Sequence, residues 1–192
     1  MLHVPQSAGL KNTSTLCCDN EGGLDLAVRH LYELGHRRIL FAYERIHEGL
    51  LETEARKQAF LHAMERQSLP AGPEDLCRWE VTAEEFAEWW RGKPPHTAVI
   101  ARGEWFAGQI LERAAESGVR IPDDLSLVCF DSTEFSKSRR PRLTAIRQPI
   151  FDMAVAATEL LLRQIDTKQR IVEVRTYPCS LDVRESTAPP RV

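Results

Sequence analysis

The chain lacks long apolar runs, since no stretch approaches the roughly 18–20 consecutive apolar residues that a membrane-spanning helix needs. Its first residues show no basic segment followed by an apolar core, so we expect no secretory signal. It also lacks a basic excess: 25 Lys and Arg against 28 Asp and Glu give a formal net charge of -3. An isolated DNA-binding module is usually basic. These deficits predict a soluble chain that contacts neither a membrane nor, by itself, nucleic acid.

The sequence also lacks the motifs of common enzymes. It has no Gly-x-Ser-x-Gly elbow, no Gly-rich phosphate loop, and no Cys or Ser with a base at motif spacing. The carboxylate pair Glu84 and Glu85 is adjacent on a predicted helix, where neighbours point apart. The second pair, Asp123 and Asp124, follows Pro122 in a turn that is usually structural. We therefore expect no enzymatic activity and no cofactor.

Cysteine and histidine do not show the spacing of metal ligands. The five cysteines are odd in number and lack zinc-type intervals. We expect free, mostly buried thiols in a reducing cytoplasm. His30 and His36 are not at a metal-ligand spacing either, so no metal site is predicted. Since His36 follows a predicted helix end, we expect it to bond the last carbonyls of that helix.

An alternation of short apolar strands with amphipathic helices is present instead. Strands are predicted at residues 15–18, 39–43, 77–81, 97–101, 125–130 and 143–147, with two more in 171–184. Helices are predicted at residues 22–34, 53–67, 82–91, 104–117 and 149–165, and residues 1–14 are an irregular lead-in. This alternation predicts an α/β fold with parallel sheets and helices on both faces.

Residues 121–144 form the most informative segment. They are interpreted as a short loop, a buried strand, an acidic residue at the end of that strand, and a basic loop. In open α/β sheets, ligands bind at the carboxyl ends of the strands. Asp131 follows the apolar run directly, and its carboxylate can accept hydrogen bonds from hydroxyl groups. The alternative is that Asp131 caps the next turn.

An ordered series of short motifs carries a family resemblance. The motifs are Asp19-Asn20 with Gly23, His30-Leu31, Leu34-Gly35-His36-Arg37-Arg38-Ile39, Arg56 with Phe60, Pro141, Leu143-Thr144, Arg147-Gln148-Pro149, Arg184, Ser186-Thr187 and Pro189. Each motif alone is weak, but the ordered series is specific. With residues 121–144 it resembles the effector domain of the LacI/GalR family of bacterial transcription regulators.

The resemblance implies a periplasmic-binding-protein-like type I fold, with two α/β lobes joined by three crossovers. Residues 1–18 and 150–178 would form a partial amino-side lobe, and residues 19–149 and 179–192 the carboxyl-side lobe. A small-molecule effector, a sugar or a derivative, would bind between the lobes of a cytoplasmic homodimer. DNA would be contacted through a module outside this sequence. With one lobe partial, we expect the chain alone to bind its effector weakly.

The resemblance also implies ligand contacts. Arg56 would donate a fork of hydrogen bonds to ligand oxygens, since its guanidinium is planar and always charged, and Asp131 would accept from ligand hydroxyls. Asp19 and Trp79 complete this set, Trp79 because its segment borders the cleft in the family and an indole can stack on a sugar. The alternative for Arg56 is a solvated helix residue.

Arg102 is a departure from the family, which usually has Asn-Asp at this point. A cation that faces the cleft predicts a ligand with a carboxylate or a phosphate. We favour the alternative, in which Arg102 turns away and contacts no ligand.

The helix that starts near residue 104 belongs to the dimer interface in the family. The resemblance therefore predicts Trp105, Phe106 and Ile110 as dimer contacts, although Trp105 and Phe106 are adjacent and cannot face the same way. A pocket wall or plain packing is the alternative. Two other functions stay open: a sugar-binding solute receptor of a transporter, which shares the bilobal fold, and a dimerisation fragment without a ligand.

Overall fold

The computed structural model describes residues 13–80 and 82–191. Its strands are β1 (Thr15–Cys18), β2 (Ile39–Glu44), β3 (Leu76–Trp79), β4 (Ala98–Ala101), β5 (Ser126–Phe130), β6 (Thr144–Arg147), β7 (Val174–Tyr177) and β8 (Ser180–Asp182). Its helices are α1 (Asn20–Glu33), α2 (Leu51–Arg66), α3 (Ala83–Arg91), α4 (Glu104–Glu116), α5 (Glu134–Ser138) and α6 (Ile150–Thr167). The predicted α/β alternation is confirmed. Most of the predicted lead-in and residue 81, the end of a predicted strand, lie outside the described residues.

Helix α5 is an α-helix of the described chain that the sequence pattern missed. The segment that we predicted as a basic loop begins with this helix, and the Thr133 side chain accepts a hydrogen bond from the Phe135 N–H at 3.1 Å. A helix of five residues is too short to show a periodic apolar face, so pattern reasoning has nothing to detect.

The strands form two sheets. The small sheet pairs β1 with β7 in parallel, and the large sheet has the order β3-β2-β4-β5-β6-β8. All pairs in the large sheet are parallel except β6 with β8. Along the described residues the chain passes between the sheets three times: after Cys18, between Arg147 and β7, and after Tyr177. The assignment of these residues to two lobes, each of which would move as a rigid body, stays a prediction.

Apolar residues alternate along β2 to fill a core on each face of the large sheet. Phe41 packs in the cluster that includes Phe60 of α2, whereas Leu40 packs in the one that includes Phe106 of α4. The small sheet has a much smaller cluster of Leu16, Ala156 and Leu160. Among the described residues, no helix is both long and apolar enough to cross a membrane.

The last described residues are tied to the large sheet by buried polar groups. The Ser186 hydroxyl donates to the Leu127 carbonyl at 2.5 Å and accepts from the Thr144 N–H at 2.8 Å. The His36 ring contacts the Ala188 carbonyl at 2.9 Å, together with the hydroxyls of Thr97 and Ser126. The predicted bond to the last helix carbonyls is made by the backbone N–H of His36, which donates to the Leu31 carbonyl at 3.0 Å, whereas the ring turns toward the tail.

Ser186→Ala is expected to lower the free energy of unfolding by about 1–3 kcal/mol, the usual cost of leaving a buried donor unsatisfied. The change leaves the buried Thr144 N–H without its acceptor. Urea unfolding of the purified chain measures the loss. Ser138→Ala, at an exposed position of α5, is the matched control. Equal unfolding free energies for the two variants would show that the Ser186 network contributes little.

The buried His36 predicts a pH dependence of stability. Burial lowers the pKa of His36, and the Ala188 carbonyl opposes this effect in part. In the unfolded chain the ring titrates near its ordinary pKa of about 6.5, so below that pH the unfolded state binds more protons. Stability therefore falls as the pH decreases through about 6.5. We expect His36→Gln to make the loss of unfolding free energy between about pH 7.5 and 5.5 smaller. An unchanged slope would contradict this role.

Candidate functional site

A polar cluster lies at the carboxyl edge of the large sheet, where α2, β5 and the segment after β6 meet. Its members are Asn20, Glu52, Arg56, Asp131 and Gln148. We call these residues the edge cluster. The structure thus brings together Arg56 and Asp131, which the sequence placed 75 positions apart, because parallel strands end at the same edge.

Arg56 of α2 is the centre of the edge cluster and is only 1% exposed. Its Nε donates to Asn20 Oδ1 at 3.2 Å, and one terminal nitrogen donates to the Arg102 carbonyl at 2.7 Å. The other terminal nitrogen donates to Glu52, and the guanidinium stacks on the Phe130 ring at 3.8 Å. The alternative of a solvated helix residue is therefore wrong. A guanidinium has five N–H donors, and these bonds use three.

Asp131 lies directly after β5 with φ of +70°, a left-handed conformation that Asp and Asn tolerate better than other side chains. Gln148 Nε2 donates to its Oδ1 at 2.5 Å. Burial raises the pKa of Asp131, and the nearby positive charge of Arg56 opposes this effect. Helix α5 is capped by Thr133 rather than Asp131. Asp131 is thus a half-buried hydrogen-bond acceptor at the end of β5, where a ligand can reach its carboxylate.

Asp19 has a local structural role. It is the N-cap of α1, and its Oδ1 accepts a hydrogen bond from the Gly22 N–H at 2.9 Å. The cap orients the first turn of the helix, so that the next residue, Asn20, reaches Arg56. Asp19 therefore lies beside the edge cluster, and its prediction as a ligand contact stays a prediction.

Arg102 follows β4 and is half-buried. Its Nε donates to Glu44 Oε2 at 3.3 Å, and Glu44 also lies 3.1 Å from His47 Nδ1. The side chain thus runs toward the end of β2, where a carboxylate balances its charge, while its carbonyl holds Arg56. This geometry favours the orientation that we preferred, away from a ligand, and gives no support to an anionic ligand. The role of Arg102 remains a prediction.

The prediction of Trp79 as a ligand contact is wrong, because its side chain lies in the hydrophobic core. The indole is 4% exposed and packs edge-on against Phe86 and Trp89, with ring centres 5.9 and 5.0 Å apart. The alternation of β3 turns it into the cluster beneath α3 and α4. Almost no surface is left on which a sugar ring can stack.

The predicted dimer contacts on α4 are divided between two faces. Phe106 and Ile110 are fully buried in the core of the large sheet, so these two predictions are wrong. Trp105 is 70% exposed, and its ring centre lies 4.1 Å from that of Phe135. Adjacent helix residues point about 100° apart, which explains the difference. Trp105 remains the dimer contact to be tested.

Asn20, Glu52 and Gln148 belong to the edge cluster but were not predicted as site residues. Glu52 lies four residues before Arg56, the spacing of an ion pair on one helix face, and this signal was available. Asn20 and Gln148 are part of the motif series, but nothing local in the sequence indicates which distant side chain each one contacts.

The two sheets of mostly parallel strands, the three passages between them and the polar carboxyl edge define a ligand-binding fold of the periplasmic-binding-protein-like type. The family model of the periplasmic binding protein-like domain matches residues 28–187. The chain therefore belongs to this family, and its resemblance to LacI/GalR effector-binding domains is confirmed.

The relatives are bacterial regulators. The arabinose metabolism transcriptional repressor of Geobacillus stearothermophilus is 30% identical over 97% of this chain and 54% of its own length. The ribose operon repressor of Halalkalibacterium halodurans is 29% identical, over 92% of this chain and 53% of its own length. The chain thus spans about half the length of the curated relatives it matches.

A solved structure supports the same assignment. A LacI family transcriptional regulator from Enterococcus faecium, crystallised with bound ribose, matches with a TM-score of 0.80 and 25% identity. The match covers 95% of this chain and 68% of that protein.

Proposed function

We propose that this chain senses a small-molecule effector for a bacterial transcription regulator in the cytoplasm, and that the effector is a sugar or a sugar derivative. The observation that carries the proposal is the edge cluster, in which a buried Arg and a half-buried Asp converge where parallel strands end. The names of the relatives support it, since two are repressors of arabinose and ribose genes. These relatives favour a regulator over a transport receptor.

The charges around the site favour a neutral, hydroxyl-rich ligand. Arg56 is paired with Glu52, and Arg102 with Glu44, so neither cation needs an anion from a ligand. Asp131 can accept from sugar hydroxyls, and Arg56 has two N–H donors beyond its three bonds. A sugar supplies both hydroxyl donors and oxygen acceptors.

Effector binding would act by a population shift. A ligand that contacts both sheets stabilises the arrangement that it binds better, and can shift the equilibrium only by that difference in affinity. A DNA-binding module outside this sequence would read the change. Among the described residues, the side of the site formed by the small sheet consists of only two strands and α6. Because this side is small, we expect the chain to bind sugars weakly.

An NMR titration of the chain with ribose, arabinose and galactose, up to about 100 mM, tests the proposal even at weak affinity. We expect one of these sugars to shift amide signals at residues 20, 56, 131 and 148. An equal concentration of glycerol is the control for nonspecific effects. Shifts that are absent for all three sugars, or that cluster away from the edge cluster, would contradict the proposal.

Dimerisation through α4 is part of the proposed function. The exposed Trp105 pairs with the half-buried Phe135, and the Arg139 guanidinium stacks on Phe135 at 3.8 Å. Exposed aromatic residues with Arg are typical of the sites that dominate binding energy in interfaces.

Trp105→Ala is expected to weaken the dimer at least about tenfold, as expected when a dominant interface residue is truncated. Sedimentation equilibrium measures the dissociation constant. Phe151→Ala, at an exposed aromatic residue of α6, is the matched control. A monomeric wild-type chain, or a dimer that is sensitive to Phe151→Ala but not to Trp105→Ala, would refute the assignment.

A further inference from the structure

Two thiols meet where the chain passes between the sheets. Cys18 is the last residue of β1, and Cys179 lies between β7 and β8. Cys18 is in register with Tyr177, and the Asp19 N–H donates to the Tyr177 carbonyl at 2.8 Å, so the two passages run side by side. Both thiols are free, and Cys179 is the neighbour that most affects the pKa of Cys18.

The thiol pair also touches the edge cluster. Cys18 Sγ lies 3.6 Å from Asn20 Oδ1, the atom that accepts from Arg56. On the other side, Cys179 packs against the first turn of α1, where a Cβ on Gly23 would meet the Cys179 Sγ at 3.4 Å. A change in the bonding of these sulfurs therefore acts on side chains that hold Arg56.

The environment distinguishes Cys18 from the other cysteines, all of which lie in the described residues. The neighbouring Cys179 thiol lowers the pKa of Cys18, and burial opposes this effect. The Cys18 thiol in turn raises the pKa of Cys179. Burial raises the pKa of Cys77 to about 12 and that of Cys129 well above its ordinary value. Since the thiolate is the nucleophile, Cys18 is the reactive member of the pair.

We propose that Cys18 and Cys179 form a reversible disulfide, with a peroxide as the oxidant. The Cys18 thiolate attacks one oxygen of hydrogen peroxide, an S–O bond forms, the O–O bond breaks, and the hydroxide takes a proton to leave as water. The Cys179 thiol gives up its proton and its sulfur attacks the sulfenic acid. The S–S bond forms as the S–O bond breaks and a second water leaves. Two electrons pass from the thiols to the peroxide, and a dithiol reductant reverses the change.

The disulfide would join two of the three passages between the sheets. A covalent link at this point opposes any change in the relative orientation of the sheets, which an effector would have to bring about. The chemistry itself requires neither a ligand nor DNA, so its test is independent of the proposed function.

The purified chain, exposed to about a tenfold molar excess of hydrogen peroxide and then alkylated, provides the test. We expect a mass loss of about 2 Da before alkylation, a proteolytic peptide in which Cys18 and Cys179 are linked, and full reversal by dithiothreitol. Retention of all five thiols, or linkage of Cys18 to Cys17 or to a second chain, would overturn the proposal.

Variants separate the two sulfurs. Cys179→Ser is expected to leave a Cys18 sulfenic acid that dimedone traps, because the resolving thiol is gone. Cys18→Ser and Cys18→Ala are expected to prevent both products, with circular dichroism as the check on folding. Cys77→Ser is the matched control and keeps the linkage. Dimedone labelling that is unchanged in Cys18→Ser would show that another cysteine reacts.

Discussion

Arg56→Ala lowers the free energy of unfolding by about 2–4 kcal/mol and is expected to be among the most destabilising changes in the chain. The substitution removes three hydrogen bonds and the stack on Phe130 at a position that is 1% exposed. Buried acceptors without donors and a cavity each cost stability. Complete loss of a buried ion-pair partner costs about 3–5 kcal/mol, and we discount this range because Glu52 is half-exposed.

Urea unfolding at neutral pH measures the effect. Arg66→Ala, on the same helix, is the matched control, since Arg66 forms exposed ion pairs with Asp25 and Glu21. Exposed pairs contribute at most about 1 kcal/mol, so the control should lose much less stability. Similar losses for the two variants would mean that the buried contacts of Arg56 contribute little.

Asp131→Asn is expected to reduce sugar affinity at least tenfold, about 1.4 kcal/mol, without destabilising the fold. Asn has the same shape and tolerates the positive φ of this position. It loses the charged acceptor, and hydrogen bonds to charged groups contribute about 1.5–3 kcal/mol. Because burial raises the pKa of Asp131, its charged form is unfavourable in the folded state. The neutral amide is therefore expected to leave the unfolding free energy unchanged or higher.

The NMR titration and urea unfolding of the same sample separate binding from stability. Asp123→Asn, an exposed residue before β5 at the opposite edge of the sheet, is the control and should keep the affinity of the wild type. If Asp131→Asn binds as the wild type does, or if it unfolds much more easily, Asp131 is not a dedicated ligand contact.

The sequence predicted the elements of the fold better than the roles of particular side chains. Apolar periodicity located each strand and the long helices, because burial of a strand or a helix face leaves a pattern in neighbouring residues. Helix α5 leaves no such pattern in five residues. Trp105 and Phe106 show the same limit, since they are neighbours in sequence but only Phe106 is buried.

The site was predicted in part. Arg56 and Asp131 do lie at one edge of the large sheet. This was predictable because each follows a strand, and parallel strands end at the same edge. The partners of Arg56 depend on which distant side chains the fold brings within 3.2 Å, and local patterns carry no such information. Trp79 was wrongly predicted because alternation along a strand of four residues does not indicate which face is covered.

A crystal structure of the chain grown with ribose or arabinose would show whether a sugar binds at the edge cluster. We predict a sugar whose hydroxyl groups lie within hydrogen-bonding distance of the Asp131 carboxylate and the Arg56 guanidinium. A sugar bound instead in the hollow of about 410 Å³ between β1 and α6, lined by Leu16 and Leu160, would contradict this prediction.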